Sequence, residues 1–195
     1  MAASSAPKDQ SRIVSVNVSL PKAVAWQGRT IRTGIFKEPV SGRVRVTRHG
    51  LAGDGQADQR VHGGRTKAVY AYPSEHYAYW QRELPNMDLR WGMFGENLTT
   101  QGLLETEVRV GDRFRIGTAV LEVTQPRMPC VKLGIRFGRA DIVPRFLQAR
   151  RSGFYLAVIE EGEVGAGDRI ERLGLSPDMP TVAEVLRSSQ ENDDV

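Results

Sequence analysis

Apolar and polar positions along this chain fall mostly into short alternating runs. Ile13-Val14-Ser15-Val16-Asn17-Val18 is rich in β-branched residues and partly alternates, and Val44-Arg45-Val46-Thr47 repeats the pattern. Lys67 to Tyr72 is a buried-type run. Glu107-Val108-Arg109-Val110, Arg113-Phe114-Arg115-Ile116 and Val120 to Thr124 are separated only by Gly111-Asp112 and Gly117. That punctuation predicts two or three strands in a compact antiparallel meander. Gly153 to Ile159 and Arg169 to Leu173 predict two more strands. Helical spacing is rarer. One helix starts at Pro73-Ser74-Glu75-His76 and places Tyr77, Trp80 and Leu84 on one face. A second, from about Asp141 to Arg151, spaces Ile142, Phe146 and Ala149 for burial. A third follows Pro180, with Thr181 as N-cap and Glu184 three residues on, the capping-box spacing. Many short strands with a few peripheral helices predict a mainly β fold, a barrel or a sandwich. The missing strand–helix alternation argues against a Rossmann fold.

The 195 residues suit one domain of ordinary to large size. With 40% hydrophobic and 26% charged residues, the composition is that of neither a membrane protein nor a disordered chain. Met1 to Gln10 is small and polar and lacks the charged start and apolar run of a secretory signal. Residues 1–11 therefore read as a disordered N-terminal tail. The longest apolar stretches, such as Phe154 to Ile159, are too short to span a bilayer. The expected location is cytoplasmic, without membrane contact. Ser188 to Val195 reads as a frayed acidic tail.

Net charge is +4, carried by 22 arginines and only five lysines. The charges are scattered singly, and Tyr70, Tyr72 and Tyr77 have no basic run between them. Nucleic-acid binding is not expected. Cys130 is the only cysteine, which excludes a disulfide framework and multi-thiolate zinc or iron–sulfur sites.

Cys130 stands in Gln125-Pro126-Arg127-Met128-Pro129-Cys130-Val131-Lys132, directly after a predicted strand. Two prolines make this a stiff, extended loop. Positive charge at Arg127 and Lys132 favours the thiolate, the form that binds metals or attacks electrophiles. The competing reading is a buried cysteine acting as a small hydrophobe. Gly50-Leu51-Ala52-Gly53-Asp54-Gly55 is a glycine-rich turn that lets a ligand approach the backbone, or else a plain hairpin turn. His62-Gly63-Gly64, followed by Arg65 and Lys67, offers amides beside cations for an anion, or simply a turn histidine capping a carbonyl. Phe94-Gly95-Glu96-Asn97-Leu98 is a further glycine-bearing loop. Asn97 carries both donor and acceptor, suited to a heterocycle edge, or else an Asx-type turn. No second histidine or carboxylate stands at zinc-ligand spacing.

Taken in order, these motifs resemble the MOSC domain family, in its stand-alone YiiM-like branch. The resemblance is carried by Thr33-Gly34-Ile35-Phe36-Lys37, Gly50-Leu51-Ala52-Gly53-Asp54, His62-Gly63-Gly64, Tyr72-Pro73, Glu75-His76-Tyr77 with Trp80, Phe94-Gly95-Glu96-Asn97-Leu98, Gly111-Asp112, and Gln125-Pro126-Arg127 with Pro129-Cys130 and Lys132-Leu133. It sets the domain at residues 12–175, with a short C-terminal helix and the acidic tail in 176–195. It implies a pyruvate-kinase-barrel-like β-barrel with flanking helices. It also implies bound molybdenum cofactor (a pterin carrying molybdenum), with Cys130 as thiolate ligand to the metal. The implied reaction is reduction of N-hydroxylated compounds, such as hydroxylaminopurines, to amines.

On that reading Gly53, Asp54, His62, Gly63, Gly64, Lys67, Gly95, Asn97, Arg127 and Lys132 bind the cofactor. Arg127 and Lys67 take its phosphate, and Asp54 or Glu96 assists proton delivery. Electrons must come from a separate reductase, because the chain shows no flavin fingerprint, no heme motif and only one cysteine. A homodimer is compatible with the sequence. Two rival functions remain: a sulfur-carrier or cofactor-delivery domain using a Cys130 persulfide, and a regulatory domain without chemistry.

Overall fold

The computed structural model describes residues 11–55 and 64–193. Its strands are β1 (Arg12–Val18), β2 (Lys22–Trp26), β3 (Arg29–Thr33), β4 (Glu38–Pro39), β5 (Val44–Thr47), β6 (Gly50–Leu51), β7 (Val69–Pro73), β8 (Leu98–Gln101), β9 (Arg113–Ile116), β10 (Ala119–Pro126), β11 (Phe154–Glu160), β12 (Gly162–Val164) and β13 (Ile170–Gly174). The helices are α1 (Glu75–Glu83), α2 (Val131–Phe137), α3 (Ile142–Ala149) and α4 (Val182–Asp193). A 3-10 turn, Arg65–Lys67, leads into β7.

The main sheet has eight strands in the order β13-β9-β10-β11-β7-β8-β1-β4. The β7–β8 pair is parallel, because α1 carries the chain back to start β8 beside β7. The other paired strands are antiparallel. A second sheet, β12-β5-β6, and the β2-β3 hairpin complete the strands. The main sheet curls until its flanks touch. Ile13 donates its N–H to Asp168 O and Ile170 donates to Ser11 O, each at 2.8 Å. One isolated bridge, Arg12 to Arg169, joins the flanks, and no ladder continues it. The fold is therefore strand-rich with helices packed outside, and the expected closed barrel is replaced by a curled sheet. Beside this contact the Asp168 carboxylate accepts Gly165 N–H and Arg43 Nη1 and holds the chain in a turn.

Two cores follow from the pattern. Inside the curl, aliphatic residues such as Ile13, Val16, Leu98, Leu121 and Leu156 meet with Phe114 and Phe154. Outside, the other face of β7 packs its Tyr70 and Tyr72 against α1, α2 and α3 in an aromatic cluster with Trp80, Phe94, Phe137 and Phe146. Tyr72 stacks on Phe94 at 4.5 Å, and its hydroxyl accepts the Trp80 indole N–H at 2.7 Å. The three tyrosines noted in the sequence are thus core residues.

Four local expectations change. Glu107 to Val110 is not a strand, because the buried Asp112 carboxylate accepts Arg109 N–H at 3.0 Å and closes a turn. The C-terminal helix does not fray at Ser188 but continues to Asp193. Its capping box forms as read, with Glu184 N–H donating to Thr181 Oγ1 at 3.2 Å and Thr181 N–H donating to the Glu184 carboxylate at 2.7 Å. The β2-β3 hairpin, turned by Gln27-Gly28 in left-handed conformations, was not foreseen. Helix α2 was also not foreseen, so Lys132 lies on a helix rather than in an extended loop. Among the described residues, no helix is long and apolar enough to cross a membrane.

Candidate functional site

One cleft gathers most of the singled-out residues. It is lined by Thr33, Gly34, Ile35 and Lys37 from the end of β3 onward, and by Asp54 and Gly55 after β6. Lys67 reaches it from the turn before β7 and Tyr70 from β7 itself, Gly95 and Asn97 from the loop before β8, and Tyr155 from β11. Arg127, Met128, Cys130 and Lys132 come from the β10–α2 connection. Its cavity volume is about 100 Å³, and the space widens outward into solvent.

The walls approach closely because glycine is placed where backbones meet. A Cβ on Gly34 would lie 2.4 Å from Gly55 O, a backbone atom that cannot swing aside. Gly34→Ala should therefore cost about 1–3 kcal/mol, a fall in Tm of roughly 2–12 °C for a chain of this size. A thermal melt checks this, and an unchanged Tm would mean the two backbones separate freely.

Asp54 sits on the cleft side of a turn opened by Gly53, whose φ is +79°. Gly53 itself does not line the cleft. Asp54 Oδ1 accepts Ser19 N–H at 2.9 Å and also binds Lys37 Nζ, while Oδ2 accepts Asn97 Nδ2 at 2.9 Å. Burial pulls the Lys37 pKa below the ordinary lysine value, and Asp54 opposes that shift. Sequence reasoning left Lys37 unassigned, although it closes the Thr33 to Lys37 motif. The side chain of Asn97 is fully engaged: its Oδ1 accepts Tyr70 N–H at 3.1 Å, and its Nδ2 serves Asp54 and, at 3.4 Å, Asn17 O. It therefore braces Asp54 and β7 from the wall of the cleft.

Glu96 does not face the cleft. Its carboxylate is wholly buried and accepts from Tyr77 Oη at 2.5 Å, Gly92 N–H at 2.8 Å, Phe94 N–H at 3.1 Å and Thr99 Oγ1 at 2.9 Å. Burial raises its pKa above the usual carboxylate range, while these hydrogen bonds pull the other way. A carboxylate held this way organises the loop, so the proton-delivery role read from the sequence does not fit Glu96. Gly95, by contrast, lines the cleft with φ +81°, and a Cβ there would lie 2.8 Å from Ile35 Cγ1.

Arg127 is the most unusual residue of the site. It is only 5% exposed, and its Nη1 has no hydrogen-bond partner. The guanidinium lies 5.4 Å from the Tyr70 ring and 5.3 Å from the Phe146 ring. Burial opposes its charge, but Tyr70, Tyr155 and Cys130 outweigh burial and leave its pKa raised. Burial likewise raises the Tyr155 hydroxyl, against the pull of Arg127. Cys130 is half-buried and free, in extended conformation at the N-cap of α2. Lys67 Nζ stands 5.9 Å from the centre of the Tyr155 ring. Gly64 precedes the turn that carries Lys67 and has φ +90°. His62 and Gly63 lie outside the described residues. Among those described, no cluster of three or more histidine, cysteine or carboxylate groups is arranged to hold a metal ion.

Comparison with known proteins assigns the chain to a family. The model of the MOSC domain family matches residues 58–171. The chain belongs to the MOSC domain family. Its relatives include the uncharacterized protein YflK of Bacillus subtilis, 43% identical over 166 residues that span 85% of this chain and 75% of YflK. A protein of Gibberella moniliformis named reductase is 36% identical over 149 residues, which cover 75% of this chain but only 26% of that protein. The crystal structure of YiiM from Geobacillus stearothermophilus superimposes with a TM-score of 0.78 at 33% identity, covering 95% of this chain and 86% of that one.

Proposed function

We propose that this MOSC domain is a molybdenum-cofactor-dependent oxidoreductase that reduces N-hydroxylated compounds, hydroxylaminopurines among them, to amines. The observation that carries the reading is the pairing, in one cleft, of the Cys130 thiol with a buried Arg127 whose Nη1 has no partner. The MOSC family is associated with molybdenum cofactor. That group needs a soft metal ligand and a cradle for an anion. A thiolate is a soft ligand, and a buried guanidinium nitrogen without a partner is costly unless an acceptor completes it. The residues present therefore fit the group. The Gibberella relative named reductase supports a reductive chemistry.

In this reading Cys130 Sγ holds the metal, and Arg127 with Lys67 binds the phosphate. Bound in this way, the cofactor supplies two-electron redox chemistry. Asp54 acts through Lys37 Nζ, where the cleft holds a proton. Tyr155 and Tyr70 line the cleft. A separate reductase supplies the electrons.

The test is expression in a cofactor-competent host, followed by molybdenum and pterin analysis and an assay with a hydroxylaminopurine and an artificial electron donor. Stoichiometric molybdenum with turnover is expected, and protein that binds no cofactor there would overturn the reading. Arg127→Met should weaken cofactor retention by about 1.5–3 kcal/mol, the worth of one charged hydrogen bond. Added cofactor should restore part of the molybdenum content. Wild-type retention in that variant would remove Arg127 from the binding set.

A further inference from the structure

One buried group of polar side chains lies outside the cleft and takes no part in the proposed reaction. It joins His76, from the Glu75-His76-Tyr77 motif on α1, to Glu105 and Arg151. His76 and Glu105 are each only 4% exposed. An arginine side chain has donors and no acceptor. Arg151 Nη1, 3.1 Å from His76 Nδ1, therefore makes that nitrogen the acceptor. The ring proton then sits on Nε2, which donates to the Glu105 carboxylate at 2.8 Å. Glu105 also accepts Gly153 N–H, at 2.6 Å. The stretch from Arg151 to Gly153 is thus fastened to the His76–Glu105 pair at both ends.

Two supports of the Arg127 guanidinium hang on that stretch. Gly153 O accepts Arg127 N–H at 3.3 Å. Ser152 O accepts Tyr70 Oη at 2.7 Å, and the Tyr70 ring lies 5.4 Å from the guanidinium. Gly153 is also wedged against β7: its φ is +62°, and a Cβ there would lie 2.4 Å from Ala71 O. A small rotation at Gly153 would therefore move both Arg127 and the ring beside it.

We propose that Glu105, oriented by His76 and Arg151, is a positioning residue of the cleft: it fixes Ser152-Gly153 and so aims Arg127 at the anion that Arg127 receives. This inference rests on the anion-binding role of Arg127 proposed above and gives the His76 motif its place in the site. The position calls for a carboxylate, because it must accept both His76 Nε2–H and Gly153 N–H. In Glu105→Gln the amide nitrogen would face one of these two donors in either orientation, donor against donor.

The experiment loads wild type, Glu105→Gln, Arg127→Met and the double variant in a cofactor-competent host. Molybdenum per chain is then measured after dialysis, beside a circular dichroism melt of each. Glu105→Gln should stay folded and weaken retention roughly three- to tenfold, a coupling usual within one hydrogen-bond network. In the Arg127→Met background the same substitution should change retention no further, because it acts through Arg127. A general loosening of the fold would lower retention by the same factor in both backgrounds, and that result overturns the inference. Wild-type retention in Glu105→Gln overturns it as well. Nitrogen NMR of the His76 ring should find the proton on Nε2, and a ring protonated on Nδ1 would break the proposed chain of contacts. Should Glu105→Gln not fold, Arg151→Met takes its place. It keeps both acceptors of Glu105 and frees only the His76 ring, so its effect should be smaller and again confined to the background with Arg127 intact. Wild-type protein that binds no cofactor overturns the proposed function itself, whereas wild-type loading with additive variants overturns this inference alone.

Discussion

Cys130→Ser is expected to keep the fold and lose both molybdenum and N-hydroxylamine reduction. The fold should survive because Cys130 is half-buried at the N-cap of α2 and, among the described residues, no other side chain depends on it for a hydrogen bond. Serine is close in size and is a preferred N-cap residue. The structural cost should stay well below the roughly 2–5 kcal/mol of a large core truncation. The chemical cost is much larger. A serine hydroxyl is a harder and far less acidic ligand than a thiol and does not replace thiolate on a soft metal site. Even partners that only orient a metal ligand are worth roughly 10–100-fold in affinity or activity, so losing the ligand itself should cost no less.

Three measurements on wild type and variant check this: molybdenum per chain, reduction of a hydroxylaminopurine with an artificial donor, and a circular dichroism melt. Full activity in Cys130→Ser would exclude thiolate ligation as essential. An unfolded variant would favour a structural cysteine. Wild-type protein that carries persulfide sulfur without molybdenum would favour the sulfur-carrier alternative.

Glu96→Ala should produce the largest loss of stability. The carboxylate serves two backbone N–H groups, Gly92 and Phe94, and two hydroxyls, Tyr77 and Thr99, all in the interior. The hydroxyls can rotate toward other acceptors, but the backbone groups cannot. Each buried donor left unpaired costs about 1–3 kcal/mol, so the substitution should cost about 3–5 kcal/mol in all. For a chain of this length, that is a fall in Tm of roughly 6–20 °C. The loop bearing Gly95 and Asn97 would lose its anchor, so retention of the proposed cofactor should fall as well. A thermal melt and a molybdenum measurement on the same preparation test both statements. A Tm within about 2 °C of wild type would show that Glu96 does not hold the loop.

Much of this protein was legible from local pattern. Alternation over Ile13 to Val18, Arg113 to Ile116 and Val120 to Thr124 located β1, β9 and β10, because a half-buried strand imposes a two-residue period. The 3.6-residue spacing of Tyr77, Trp80 and Leu84 located α1, and Thr181 with Glu184 located the start of α4. The ordered motifs placed the chain in its family, and their types of side chain suggested the chemistry. Helix α2 escaped because Val131, Leu133, Ile135 and Phe137 fall at alternate positions, as in a strand. Seven residues are too few for a helical period to stand out. Closure into a helix depends on Gly138, whose left-handed conformation lets its N–H reach the carbonyls of Gly134 and Ile135.

The roles inside the site were decided only by tertiary structure. Asp54, Glu96 and Asn97 are all polar residues in glycine-bearing loops, and sequence alone gives no reason to separate them. Packing turns Asp54 into the cleft beside Lys37, turns Glu96 inward to four donors, and engages both ends of the Asn97 amide. The difference lies in which buried backbone groups each side chain must satisfy. Those partners come from strands up to 80 positions away, such as Asn17 for Asn97. The same holds for sheet closure. Residue type set each strand, but the meeting of the sheet's flanks depended on backbone hydrogen bonds between Ser11–Ile13 and Gly167–Ile170, which are far apart in sequence.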